Sequence, residues 1–194
     1  MTSIDPTTPL VKSLIMLDSE GKRVAVKYYS QEWPTTATQA NYEKTLWNKT
    51  RTTNARQEAE IVMFEDYIVV YKYLGDLMFY VTGSVNENEL MLYAVLQAFY
   101  ESVSILLRSQ VEKKTVLENL DLVLLAIDET IDGGMILETD PQTIASRATM
   151  RDGSGDGPGG AAAGSGSGTV QPLEKTLASA FLSAKEHLTK SLLR

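Results

Sequence analysis

Carboxylates are the side chains of this sequence whose spacing could support metal chemistry. Residues 115–146 contain seven Asp or Glu residues and no Lys or Arg. Asp128 and Asp132 would lie one turn apart on a helix, where two carboxylates could chelate a divalent cation. A small hydrolase or transferase that uses Asp128, Asp132 and Glu138 with a metal is therefore one hypothesis. A solvated acidic face is the simpler alternative, and a face that docks on a basic partner surface is a third.

Other catalytic arrangements lack their residues. The only histidine, His187, falls on the polar side of an amphipathic stretch, and the chain has no cysteine. Neither a Ser-His-Asp triad nor a thiol nucleophile can be assembled from such a sequence. The motifs GxGxxG, GxxxxGK(S/T) and HExxH are absent, which removes the usual phosphate cradles and zinc-protease chemistry. We therefore predict no catalytic residues, no metal site and no cofactor.

Composition limits the chain to one domain with appendages. Its 194 residues are 43% hydrophobic and 22% charged, enough for one core rather than two. The formal net charge of -7 lacks the basic excess that nucleic-acid binding requires. Residues 1–6 lack the basic and apolar regions of a signal peptide and the glycine that myristoylation needs. We expect a soluble chain of a reducing compartment, the cytosol, that does not bind nucleic acid.

Five aromatic residues lie close together in the first quarter of the chain. Tyr28, Tyr29, Trp33, Tyr42 and Trp47 fall around one predicted strand and the helix that follows it. Such residues form ordinary core, but Tyr and Trp are also the residues that dominate protein–protein interfaces. We predict a partner interface at Tyr29, Trp33, Tyr42 and Trp47.

Strand patterns recur before residue 84. Residues 11–17 and 23–29 flank a turn-rich loop and predict a first hairpin, with one core face and one mixed face on its second strand. Residues 67–74 and 77–83, separated by Gly75-Asp76, predict a second hairpin, and the chain has room for one further strand. These patterns indicate an antiparallel sheet.

Helix signals separate and follow these strands. Capping pairs predict where three helices begin, and Asp140-Pro141 predicts the start of a short fourth helix that ends near Ala148. The two longest patterns carry apolar residues three and four apart and should cover one face of the sheet. The three capping pairs are Thr36 with Gln39, Asn86 with Glu89, and Thr115 with Glu118.

The last quarter of the chain changes composition abruptly. Residues 152–168 hold eight of the 13 glycines, which is typical of a flexible linker with an end-to-end distance of about 20 to 25 Å. Pro172 then opens an amphipathic pattern that runs to the last residues. We predict a tail at 1–10, a folded domain at 11–150, a linker at 151–169 and an amphipathic helix at 170–194.

Several runs of this sequence resemble the small chains of vesicle coat adaptors, and most closely the zeta chains of the COPI coatomer. The resemblance covers about residues 10–150 and 173–194. The runs that carry it are 18–29 (DSEGKRVAVKYY), 89–92 (ELML), 118–121 (ENLD), 128–129 (DE), 132–141 (DGGMILETDP), 183–188 (SAKEHL) and 191–194 (SLLR).

The resemblance implies a fold and a role. It implies an α+β, longin-like domain, a five-stranded antiparallel sheet flanked by α-helices. Zeta chains are non-enzymatic subunits that embed in the trunk of the coatomer gamma subunit, beside the other coatomer subunits. An Arf GTPase recruits that coat, so the chain would meet Arf indirectly and the Golgi and vesicle membranes peripherally, in Golgi-to-ER retrograde and intra-Golgi transport.

Two points stay open in this resemblance. A sigma-type small chain of a clathrin adaptor, or another longin-type trafficking module, is the alternative function. The sigma chains help bind acidic dileucine sorting signals, and the residues of that motif are not evident here, so no cargo site is carried over. The glycine-rich residues 152–168 depart from the family pattern.

Overall fold

A five-stranded antiparallel sheet is the centre of the fold. The computed structural model describes residues 10–53, 55–64 and 66–151. The predicted linker and C-terminal helix, with His187, lie outside the described residues apart from Arg151. The strands follow the order β2-β1-β5-β4-β3, so that β2 and β3 are the two edges. The five strands are β1 (Val11–Asp18), β2 (Arg23–Tyr28), β3 (Glu60–Phe64), β4 (Tyr67–Leu74) and β5 (Leu77–Ser84).

Both predicted hairpins are confirmed. β1 pairs with β2, and β4 pairs with β5 across the two-residue turn at Gly75-Asp76. Gly75 has φ +63°, the left-handed conformation that this tight turn needs and that glycine adopts without strain. The further strand is β3, which pairs with β4 at the outer edge.

Helices and a short ribbon are the other elements of the described residues. The two-stranded ribbon has its turn at Gly133-Gly134, both at positive φ. The remaining elements are α1 (Thr36–Thr50), α2 (Glu89–Leu106), α3 (Lys113–Glu118), α4 (Leu120–Thr130), β6 (Ile131–Asp132), β7 (Met135–Ile136) and α5 (Pro141–Arg151).

The caps of α1 and α2 differ from the predicted pairs. Thr35, not Thr36, caps α1, and its Oγ1 accepts from the backbone N of Thr38 at 3.2 Å. Asn88, not Asn86, caps α2, and its Oδ1 accepts from the backbone N of Leu90 at 2.9 Å. In both cases two neighbouring residues have capping side chains, and the backbone path decides between them.

The third predicted cap is wrong and the fourth is confirmed. Thr115 lies inside α3, and Asn119 breaks the predicted single helix into α3 and α4. The Asn119 side chain donates to the Thr115 carbonyl at 2.8 Å, which occupies a carbonyl at the end of α3. Asp140 caps α5, since its Oδ2 accepts from the backbone N of Thr143 at 2.8 Å. Helix α5 runs to Arg151, past the predicted end.

Both faces of the sheet are covered. Along β1, Leu14 and Met16 face the layer of α2, α4 and α5, while Ile15 and Leu17 face α1. The sequence predicted the helices of the α2 side. Helix α1 adds a second layer, which packs on Val26 and Tyr28 of β2, the face that was expected to be core. The mixed face of β2, with Ala25, lies on the α2 side. The sheet is therefore the middle of three layers.

Helix α2 is the longest helix among the described residues. Its length and apolar composition would suffice to cross a membrane, a test that core helices of globular proteins also pass. Seven of its side chains, among them Leu92, Val95 and Phe99, are buried inside the fold. Leu92 lies over Gly83, where an added Cβ would come within 2.7 Å of the leucine side chain. That close approach fixes the first turns of α2 above β5.

Candidate partner interface

Trp33 and Tyr42, two of the four predicted interface residues, are buried in the layer between the sheet and α1. The two residues are only 7% and 6% exposed, and their ring centroids are 4.4 Å apart. The Tyr42 hydroxyl and Thr82 Oγ1 are 3.0 Å apart and hydrogen-bonded. Each ring also packs near Tyr67. These contacts give both residues a structural role inside the domain.

Tyr29 lies on the other side of the sheet from Trp33 and Tyr42. It is half-buried against the α2-side core, and its hydroxyl has no hydrogen-bond partner in the described part of the chain. Burial raises the pKa of the Tyr29 hydroxyl, and the nearby carboxylates of Asp128 and Asp132 raise it further. The four predicted residues therefore do not share one surface.

Trp47 is the most accessible of the three aromatic residues on the α1 side. Its indole lies against Gly21 in the β1–β2 loop, where an added Cβ would come within 2.6 Å of the ring. The guanidinium of Arg51 lies 4.9 Å from the ring centroid on an exposed surface. Trp47 thus fixes the loop to α1 and leaves part of its ring accessible.

An ion pair between the exposed Arg23 and the buried Glu43 fastens the edge strand β2 to α1. The Glu43 carboxylate accepts from Arg23 Nε at 3.1 Å and from Arg23 Nη2 at 2.6 Å, a two-point contact. The Tyr28 hydroxyl also donates to Glu43, at 2.8 Å. Burial raises the pKa of Tyr28, and the bond to the Glu43 carboxylate adds to that rise. These bonds satisfy a carboxylate that is almost fully buried.

A second buried carboxylate holds one end of the sheet together. Asp18 accepts from the backbone N of Glu20 and Lys22 in its own loop, and from Lys113 Nζ at 2.7 Å. Burial alone would raise the pKa of Asp18, but the Lys113 ammonium and the two amides outweigh it and hold the pKa below its ordinary value. The Lys113 backbone N donates to Asp76 at 2.8 Å, so α3 is fixed to both hairpin turns.

The predicted acidic residues do not form a metal centre in the described ranges. Asp128 is paired with Lys27 of β2, and Glu138 lies 3.6 Å from Arg147. Asp132 lies in the β6–β7 ribbon, beyond the end of α4, so the expected helical spacing is broken. Within residues 10–53, 55–64 and 66–151, no group of three potential ligands converges. This arrangement fits the acidic surface that the sequence also allowed.

One crevice of the described residues lies beside β1. It holds about 290 Å³ and is lined in part by Leu10, Lys12, Tyr29 and Gly134. Lys12 is paired with Glu32, and the two serines of the lining, Ser30 and Ser84, accept hydrogen bonds from backbone amides.

Exposed apolar side chains are the surface feature that the sequence analysis missed. Two of them, Ile61 and Met63, lie on the edge strand β3, and several lie on the first turns of α2. The run Ile61-Val62-Met63-Phe64 has apolar residues on both faces of a strand, and this was the signal available in the sequence. The other large apolar residues with high exposure are Val85, Leu90, Met91, Tyr93, Ile105, Leu117, Leu124, Met135, Leu137 and Met150.

Comparison with known structures gives the fold. A chain in a homology model of the full-length AP-3 complex in a stretched open conformation superposes with a TM-score of 0.61 at 17% identity. The match covers 75% of this chain and 95% of that chain. It confirms the longin-like α+β fold, with its five-stranded antiparallel sheet and flanking helices.

Comparison with known sequences gives the family. The family model for the clathrin adaptor complex small chain matches residues 10–154. Coatomer subunit zeta-2 of Arabidopsis thaliana is 52% identical over 185 residues, which cover 95% of this chain and 96% of the relative. Human coatomer subunit zeta-1 is 41% identical over 192 residues, which cover 98% and 97%. The family consists of structural subunits of coat adaptors and is not an enzyme family. The chain belongs to the clathrin adaptor complex small chain family, and within that family to the coatomer zeta subunits.

Proposed function

We propose that this chain pairs directly with the trunk of the coatomer gamma subunit and acts there as a structural subunit of the COPI coat. The observation that carries the proposal is identity of 52% and 50% to two coatomer zeta subunits over nearly the full length of the chain. The exposed large apolar side chains, among them Ile61, Met63 and Leu90, also support it. Obligate subunit interfaces are large and apolar, so these side chains suit a permanent partner.

The proposed role needs no catalysis and no cofactor. The family to which the chain belongs is structural. The chain would contribute binding energy and shape to the coat. Its other partners would be the remaining coatomer subunits, with Arf met indirectly through the assembled coat.

Placement on the cytosolic face of Golgi membranes and COPI vesicles follows from the same proposal. Coatomer relatives imply association with a cytosolic vesicle coat. We propose that the chain serves Golgi-to-ER retrograde and intra-Golgi transport in that coat, and that its contact with the membrane is peripheral.

The interface residues named from the sequence remain a proposal with a revised form. Trp33 and Tyr42 would support the interface indirectly: their rings are buried and fix α1 to the sheet. Trp47 and Tyr29 would act separately, because they belong to opposite layers. Substituting the accessible Trp47 tests the α1 side directly.

Co-expression with the gamma trunk tests the proposed pairing. We would express the full chain and a form that ends at Arg151, each with the trunk, and analyse both by size-exclusion chromatography. Co-elution of both forms supports the pairing and the proposed division into a domain at 11–150 and a separate segment at 151–194. Co-elution of the full chain alone supports the pairing and assigns part of the interface to the later residues. Separate elution of folded proteins in both cases contradicts the pairing.

A further inference from the structure

The edge strand β3 exposes apolar side chains on the α2 side of the sheet. Ile61 is 51% exposed and Met63 is 64% exposed. Their neighbours Val62 and Phe64 belong to the α1-side core, so alternation along the strand directs Ile61 and Met63 to the opposite face. Their cross-strand partners on β4 are Val70 and Ile68, which α2 covers. The α2-side core therefore continues as far as β3, where no other element of the described residues covers it.

Helix α2 forms the other wall of this uncovered strip. Tyr100 faces β4, because Lys72 Nζ of β4 lies 4.6 Å from its ring centroid. Tyr93 precedes Tyr100 by seven residues, about two turns, and so lies on the same side of α2. Tyr93 is 41% exposed. We call the strip bounded by Ile61, Met63 and Tyr93 the β3 groove.

The dimensions of the layer fit one more helix in the β3 groove. Strands lie about 4.8 Å apart and packed helices about 8 to 10 Å apart, so one helix covers about two strands. Helix α2 packs on β4 and β5, and α4 packs on β2. A further helix at the usual distance from α2 would lie over β3, the next strand in the order.

Charge indicates what kind of helix would fit. Between residues 57 and 107 the chain has eight acidic residues and one basic residue, Lys72. Lys72 Nζ lies 3.4 Å from the Tyr100 hydroxyl, which in turn donates to Glu101, so a carboxylate lies close to this cation. On α2, Glu89 lies one turn before Tyr93 and on the same side of the helix. An apolar strip beside such carboxylates suits a segment whose apolar face is flanked by Lys and Arg. The acidic residues are Glu58, Glu60, Glu65, Asp66, Asp76, Glu87, Glu89 and Glu101.

We propose that the β3 groove is the docking site for a basic amphipathic helix of the partner coat subunit. This proposal rests on the proposed pairing with the gamma subunit and names the surface and the chemistry of that contact. Met63 and Tyr93 are the anchors, since each lies on one wall of the groove and has accessible apolar area. The acidic surroundings add attraction that weakens as salt rises.

The test is binding of full-length variants to the gamma trunk, measured by titration at low and high salt. The variants are Met63→Glu and Tyr93→Glu, and the matched control is Met150→Glu on α5. Met150 is 70% exposed, so the control places the same charge on an equally accessible methionine outside the groove. The melting midpoint of each variant, measured alone, shows that the fold is intact.

Met63→Glu and Tyr93→Glu should each weaken binding by about tenfold or more, as expected for interface anchors, while Met150→Glu binds like wild type. A photo-crosslinker at position 63 should capture a trunk peptide with Lys or Arg beside its apolar residues. Equal binding of all variants overturns the groove while the pairing stands. Failure of wild type itself to bind overturns the pairing and the groove together. If the wild-type chain forms a dimer and Met63→Glu dissociates it, the groove binds a second copy of the chain, and the proposal is overturned.

Discussion

Lys113 and Asp18 join two parts of the chain that lie 95 residues apart. Lys113 Nζ at the start of α3 donates to Asp18 Oδ2 at 2.7 Å, and Asp18 is only 2% exposed. The same carboxylate organises the β1–β2 loop through the backbone N of Glu20 and Lys22. One buried carboxylate therefore connects the first hairpin to the helical layer.

Replacing Asp18 should change how stability depends on pH. The folded-state pKa of Asp18 is lowered, so its contribution is present above the ordinary value and is lost as pH falls through the folded pKa. Asp18→Asn should lower the free energy of unfolding by about 2 kcal/mol at pH 7, and by less at pH 3. Urea unfolding at both pH values measures this. Asp121→Asn, at an exposed carboxylate, is the control; a constant deficit for Asp18→Asn at both pH values would contradict the account.

The Arg23–Glu43 pair should be costly to break from one side. Arg23→Met leaves the buried Glu43 carboxylate with Tyr28 as its remaining side-chain donor, so we expect a loss of about 3 kcal/mol. The double variant Arg23→Met with Glu43→Leu should lose less than Arg23→Met alone, because no buried charge is left. Guanidinium unfolding gives each value. Lys22→Met, which breaks the exposed pair with Glu20, should leave the unfolding midpoint unchanged, and equal effects at both pairs would refute the argument.

Alanine substitutions at two glycines should distinguish the cost of backbone strain from the cost of steric contact. Gly75 and Gly133 have φ of +63° and +56°, but an added Cβ meets the Val111 carbonyl oxygen at 2.2 Å only at Gly75. Gly133→Ala should cost about 1 kcal/mol for the left-handed conformation alone. Gly75→Ala should cost about 3 kcal/mol, because the turn or the α2–α3 loop must also shift. Chemical unfolding of both variants measures the difference, and similar losses would show that the loop yields freely.

Divalent cations should not stabilise the chain. Asp128 pairs with Lys27, Asp132 lies beyond the end of α4, and among the described residues no group of three potential ligands forms. A cation that binds the native state must raise the melting midpoint. We therefore expect the same midpoint in millimolar magnesium, manganese or calcium as in their absence. A rise that Asp128→Asn abolishes would revive the metal-dependent hypothesis.

Local signals predicted the hairpins well. The turn at Gly75-Asp76 and the cap at Asp140 depend on a few neighbouring residues, and both are as expected. The caps at Thr35 and Asn88 lie one and two residues from the predicted positions, because nearby side chains compete for the same backbone amides. Asn119 interrupts a continuous apolar stripe by a side-chain bond that periodicity does not reveal.

Features that depend on the order of strands were beyond sequence reasoning. Burial of Trp33 and Tyr42 requires α1 to lie on the second face of the sheet. Exposure of Ile61 and Met63 requires β3 to be an edge strand that none of the helices between residues 10 and 151 covers. The same apolar run at a central strand would be ordinary core. Family resemblance, in contrast, predicted the fold and the coat role from short runs of residues.

Purification of the tagged full chain from cytosol, with the bound proteins identified and quantified, tests the central claim most directly. A structural coatomer subunit should recover the gamma subunit in about equal amount, together with the other coatomer subunits, through a high-salt wash, since obligate interfaces are large and apolar. Recovery of clathrin adaptor large chains in their place, or of the chain alone while it remains folded, would contradict the account.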